Sequence, residues 1–144
     1  MGLVSPRGYP LGEHRVVGME EEVLFSERTS VPMLIADFAS PIGWRSQAVT
    51  QPSQLSDIVR GWLLSEEGDP TWFDALAVTA PNDSKVYCKS ERGIAVRTNE
   101  WMLIQNPDRH ALYVKPDDRW EHNDVSSRCP EIVELLRISP SGPS

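Results

Sequence analysis

The chain has 144 residues, 40% apolar and 24% charged, which suits one domain with a filled core and a wetted surface. Lys and Arg total 14 and Asp and Glu 21, so the formal charge is 14 − 21 = −7; residues 1–80 hold 5 basic and 11 acidic side chains, residues 81–144 hold 9 and 10. No basic face of the kind a nucleic-acid or anionic-membrane binder carries is visible, and no run approaches the roughly 18–20 apolar residues of a membrane span. The opening MGLVSPRGYPLGEH lacks the apolar stretch of a signal peptide, so the expected location is cytoplasmic if Met1 is the true start.

Residues 1–30 read as a polar lead-in without periodicity, and Ser5 to Pro10, with two prolines and a glycine, reads as loop. Glu20 to Glu22 read as a solvated acidic run, after which Val23, Leu24 and Phe25 begin a short apolar segment. Val31 to Ala36 is a continuous apolar run ending at Asp37, which predicts a strand over 31–37 buried on both faces, as in a parallel sheet. Pro41 and Gly43 mark the turn after it. Leu55, Ile58, Val59, Trp62 and Leu63 then recur at helical spacing, predicting a helix over about 54–65 with Ser53 as its cap and Gly68 beyond its end.

After Asp69-Pro70 the pattern changes to short apolar pieces between polar turns: 76–78, 86–88, 94–96, 101–104 and 111–114. Thr98-Asn99 predicts a tight antiparallel hairpin between the third and fourth of these. A polar stretch from Pro116 to Asp124 follows. Pro130 at a first helical position, with Ile132, Val133, Leu135 and Leu136 as an apolar stripe, predicts a final helix over about 130–137. The fold expected is α/β: a strand-plus-helix unit, then a small, mostly antiparallel sheet with a C-terminal helix. The tail SPSGPS reads as a frayed end.

Three stretches resemble the C-terminal part of a sulfatase of the alkaline-phosphatase superfamily. Gly8-Tyr9-Pro10-Leu11-Gly12-Glu13-His14 resembles D-[HN]-G-x-x-L-G-E-H-G, and Leu24-Phe25-Ser26-Glu27 through Val31-Pro32-Met33-Leu34-Ile35 resembles L-[YF]-x-E-x-x-x-V-P-L-[IL]-[IV]. Gln51-Pro52-Ser53-Gln54-Leu55 resembles the segment that opens the family's next helix. Glu100 to Ile104 is similar to the strand R-x-x-x-W-K-L-I, and Ala111-Leu112-Tyr113-Val114 through Asn123 to E-L-Y-D-L-x-x-D-P-x-E-x-x-N. The resemblance divides the chain into the end of a sulfatase-like α/β core at 1–68, a small antiparallel subdomain at 69–138 and a disordered tail at 139–144.

What the resemblance implies is a sulfuric ester hydrolase, in which a formylglycine made from Cys or Ser in Cys-x-Pro-Ser-Arg attacks sulfur. Calcium, with Lys and His side chains, meets the charge that gathers in the transition state. This chain departs from that pattern. Neither Cys88 nor Cys129 stands in the required motif, and the amino-terminal half that carries the nucleophile has no counterpart in these residues. The paired metal ligands before Gly8 fall at Pro6 and Arg7, and the substrate lysine falls at Met19. Proline offers no side-chain ligand and a guanidinium repels a cation. No catalytic or metal-ligating residue is therefore assigned, and no cofactor is expected for this chain, calcium being expected only for complete family members. The expectation is a non-catalytic C-terminal portion of a sulfatase-family protein, partnered by a separate N-terminal part or by itself. The alternative is a free-standing module that binds a partner or an anionic ligand with its small sheet.

Among other polar residues, His14 is the surviving cleft position, read otherwise as a loop histidine held by hydrogen bonds. Asp117, Asp118, Glu121, His122 and Asp124 are dense enough for a cation site but lack calcium-loop spacing, and read as a solvated turn. Lys89, Arg92 and Arg97 form a modest candidate anion patch; His110 beside Asp108 has no nucleophile placed by a motif. Cys88 and Cys129 read as reduced, partly buried thiols, with a disulfide or a metal site as the alternative.

Overall fold

A computed structural model of the chain describes residues 2–18, 24–35, 49–64 and 85–138. The expectations for Met19, Glu20 to Glu22, Val23, Asp37, the 41–43 turn, Gly68, the 76–78 strand and the 139–144 tail lie outside those residues.

Four strands form an antiparallel meander: β3 (Val86–Ser90), β4 (Gly93–Arg97), β5 (Trp101–Gln105) and β6 (His110–Val114). They follow the predicted apolar pieces, because alternation along each strand sorts side chains onto two faces and both faces are covered. The register pairs Cys88 with Ala95, Arg97 with Met102 and Met102 with Tyr113. The predicted hairpin is present between β4 and β5, with a three-residue connection at 98–100. The Thr98 N–H donates to the Trp101 carbonyl at 2.9 Å, and Thr98 Oγ1 accepts from Trp101 N–H at 3.0 Å.

One face of this sheet carries Val96, Leu103 and Leu112, fully buried against Val133 and Leu136 of the terminal helix α3 (Pro130–Leu136). Proline opens that helix as its sequence predicts, since the missing N–H would have no intrahelical acceptor there. Gln105 then ties the chain beyond the helix to β5, donating to the Ile138 carbonyl at 3.0 Å. The opposite face carries Ala95, Met102 and Tyr113, covered by Leu24 and Phe25 from the amino-terminal part. Cys88 and Cys129 pack on opposite faces of the sheet as free thiols, so the disulfide alternative is set aside.

The amino-terminal part differs from its expectation in three ways. First, the lead-in holds a strand, β1 (Gly2–Val4), and a single helical turn, α1 (Ser26–Thr29). Second, among the described residues the apolar run after residue 30 supplies the three-residue strand β2 (Met33–Ile35). It pairs antiparallel with β1, Leu3 opposite Leu34, and Leu34 is 61% exposed, so it is not buried on both faces. The apolar run predicted burial, but β1 supplies only a narrow two-stranded ribbon. Third, helix α2 (Leu55–Leu64) is led in by a 3-10 turn at Pro52–Gln54 and is not capped by Ser53. Gln54 Oε1 accepts from the Gln51 N–H at 2.7 Å, making Gln51 the boundary residue.

Candidate functional site

The segment Gly8–Gly18 is a compact loop built by its own sequence. Glu13 Oε2 accepts from Leu11 N–H at 2.9 Å, and that donor together with Glu13's own amide holds the carboxyl below its usual range. Leu11 bridges Val17, and Gly12 and Gly18 take positive φ at 121° and 102°. Gly8 is required for a different reason: its N–H donates to the Arg28 carbonyl at 3.0 Å, and a Cβ there would overlap the Glu27 carbonyl oxygen. The loop therefore lies directly on α1.

This contact turns His14 inward. Its ring stacks on Phe25 at 3.6 Å between centroids with 3° between planes, and Nδ1 lies 2.7 Å from Glu27 Oε1. A carboxylate only accepts, so the proton of that bond sits on Nδ1. Nε2 of His14 and Oε2 of Glu27 are buried with no partner. The expectation of a loop histidine fixed by hydrogen bonds agrees with this geometry.

A second stretch converges on the same place. Glu121, expected in a solvated turn, is instead fully buried and forms an ion pair with Lys115, whose side chain is 3% exposed. That reading needs correction because Glu121 takes a left-handed backbone, φ 51°, which turns its side chain under the loop. Its Oε1 accepts from Ser26 Oγ at 2.5 Å and its Oε2 from Ser26 N–H at 3.2 Å. Lys115 Nζ also donates to the carbonyls of Asp118 at 2.7 Å and Arg119 at 3.2 Å. Burial, then the like charge of Arg97, pulls the Lys115 ammonium down to about 8, against the pull of Asp118 and Glu27. Sequence reasoning missed Lys115 and Ser26. Their only signal is a lysine continuing an apolar strand, and composition assigns such a residue to the surface.

The other acidic residues of this turn are structural. Asp118 accepts from the N–H groups of His122 at 3.0 Å and Asn123 at 2.8 Å, and Asp124 from those of Leu112 at 3.0 Å and Ser126 at 2.9 Å. Burial alone would raise both carboxyls; these backbone donors outweigh it and hold them below the usual range. Asp117 is exposed.

His14, Glu27 and Glu121 bring one ligand atom each within 4.8 Å of one another, the residue types of a divalent-cation site. The positive charge there is already supplied by Lys115. Ser26 Oγ donates to Glu121 Oε1, which Lys115 also engages, so that carboxylate oxygen sits between a hydroxyl and an ammonium. Calcium at the family's positions does not fit. Pro6 and Arg7 lie on the wall of a cavity of about 1040 Å³ whose described lining also holds Arg28, Lys89 and Arg97, a cationic setting with no carboxylate pair. Arg92, placed by sequence in the same patch, is not among the lining residues. His110 and Asp108 are exposed at the β5–β6 turn, on a separate small cavity of about 110 Å³ that contains no Ser or Cys. Among the described residues no helix is long and apolar enough to cross a membrane.

Comparison of the chain with protein-family models, with curated proteins and with solved structures finds no match in any of the three.

Proposed function

We propose that this chain is the C-terminal portion of a sulfatase-family protein, a scaffold that is not catalytic by itself. The observation that carries the reading is convergence. The stretches that resemble the family's G-E-H, L-[YF]-x-E and D-P-x-E-x-x-N segments meet through His14, Glu27, Ser26 and Glu121, although Ser26 and Glu121 are 95 positions apart. Chance similarities scattered along a chain have no reason to share one buried cluster. The exposed apolar side chains of β1, β2 and α2 support the same reading, since a larger α/β core would cover them.

Purified alone, the chain is expected to leave an aryl sulfate unhydrolysed with or without calcium. Pro6→Asp, Arg7→His and Met19→Lys together are expected to leave it inactive, because no nucleophile motif is present. Turnover by the unmodified chain would overturn the reading. An antibody to residues 85–138, used on cells that make the protein, is expected to recover a longer chain or a companion carrying Cys-x-Pro-Ser-Arg. Recovery of a lone 16.2 kDa chain would instead favour the second reading, a free-standing binding module, for which the open cavity beside β3 and β4 is the supporting observation.

A further inference from the structure

We propose that the cavity between the amino-terminal segment and the β3–β4 face binds an organic carboxylate with an apolar body, its head group on Arg97. The inference stands apart from the sulfatase reading, because the described walls come from this chain and the ligand is not a sulfate ester. The volume, about 1040 Å³, accommodates a small organic molecule.

Charge on the lining runs against the charge of the chain. Among the described lining residues Arg7, Arg28, Lys89 and Arg97 are cationic and Glu91 is acidic, in a protein of net −7. Arg97 lies deepest. Its cross-strand neighbours are Val86 and Met102, on the face that also carries Ala95 and Cys88. Its Nη1 is buried with no partner. Burial lowers its pKa to about 10, so it remains charged at neutral pH, and no neighbouring carboxylate offsets that burial. The Arg97 charge acts in turn on Lys115, which has the same sign. An uncompensated buried charge is costly unless something pairs with it. A guanidinium presents a planar fork that matches a carboxylate bidentately.

The remainder of the lining selects the body of the ligand. Leu24, Ala95 and Met102 are buried and apolar, and burial raises the Cys88 thiol pKa, keeping it neutral. One guanidinium with a buried, unpartnered nitrogen, with a carboxylate on the wall, suits a single negative head group over an apolar floor better than a polyanion.

Titration with 2-naphthoate, followed by calorimetry, tests this, with 2-naphthamide as the uncharged isostere and inorganic phosphate as the bare anion. Saturable 1:1 binding of the naphthoate is expected, with the naphthamide and phosphate each weaker by about tenfold or more. Arg97→Gln is expected to lower naphthoate affinity by about tenfold or more. If that variant does not fold, Arg7→Gln with Lys89→Gln serves instead, both at exposed rim positions, with an expected loss of a few-fold. Alkylation supplies the location: bound naphthoate slows modification of Cys88 and leaves Cys129, on the other face, unchanged. Absence of saturable naphthoate binding, equal binding of the naphthamide, tighter binding of phosphate, or no protection of Cys88 would each overturn the proposal.

Discussion

Residues 85–138 and the pieces that precede them handle apolar surface in opposite ways. In the meander each strand pairs with its sequence neighbour, and each face finds a cover, α3 on one side and Leu24 with Phe25 on the other. In β1, β2 and α2 several apolar side chains stay open: Leu3 and Leu34 are both 61% exposed, Leu63 70% and Leu64 77%. Local pairing lets a short meander complete itself, whereas a two-stranded ribbon needs a further layer to cover its apolar side chains. Among the described residues, the amino-terminal part is fastened to the meander by the buried cluster of His14, Ser26, Glu27, Lys115 and Glu121, by Leu24 and Phe25 on the sheet, and by Gln51 Nε2 donating to the Tyr87 carbonyl at 2.9 Å.

The largest expected effect comes from breaking that fastening. Glu121→Ala leaves the Lys115 ammonium buried without its partner, and such a loss costs about 3–5 kcal/mol. Urea unfolding measures it, and a loss below about 1 kcal/mol would mean that neither Lys115 nor Ser26 depends on Glu121 for its place in the fold. Removing both charges with Lys115→Met and Glu121→Leu is expected to restore much of the stability, because the penalty lies in the unpaired charge. It should not restore the bonds to Ser26, so amide protection of residues 24–29 is expected to stay low.

Leu103→Ala tests the self-sufficiency of the meander. The side chain is fully buried between β5 and α3, and truncation there costs about 2–5 kcal/mol through lost transfer energy and the cavity left behind. Loss of signal is expected to be cooperative across β3–β6 and α3, seen as amides exchanging together; independent exchange of α3 would divide the region in two.

A smaller effect follows from acid. Asp118 and Asp124 have folded-state pKa values below the usual one, so between the two values the unfolded chain binds more protons than the folded one. Their contribution is therefore complete above about pH 4 and is lost as pH falls through the folded-state pKa. Amide resonances of His122 and Asn123 are expected to shift together as Asp118 protonates, and those of Leu112 and Ser126 as Asp124 does. Asp118→Asn should abolish the first pair of shifts and spare the second; unchanged shifts in the variant would show that another group is responsible.

The same division governs how much the sequence discloses. Strands β3–β6 and helix α3 were legible because alternation, turn residues and Pro130 all point to one local answer, and the structure agrees within a residue or two. Strand β1 and helix α1 were not, since three or four residues carry no period. The run at Val31 predicted a doubly buried strand because apolarity records a demand for burial and not whether a layer exists to meet it. Glu121 and Lys115 were hidden by the opposite error, charge taken for surface. His14 was legible as a held loop histidine, but its partner Glu27 lies 13 positions away, and only the close approach at Gly8 brings them together.

The smallest expected effect on stability belongs to Leu63→Lys, and it tests the open region most directly. Leucine and lysine have similar helix propensity, and Leu63 is 70% exposed on a groove lined by Pro52, Leu55, Val59 and Leu64. The change in unfolding free energy is therefore expected to fall within about 0.5 kcal/mol. Association should respond far more than stability. A groove of this kind draws a second apolar surface, so the unmodified chain is expected to elute from size exclusion above its 16.2 kDa mass, and the lysine variant close to it. An unmodified chain that elutes as a monomer would mean that α2 has no need of cover. A destabilisation of 2 kcal/mol or more by Leu63→Lys would mean that the helix packs within the chain, and the contrast between the two regions would fail there.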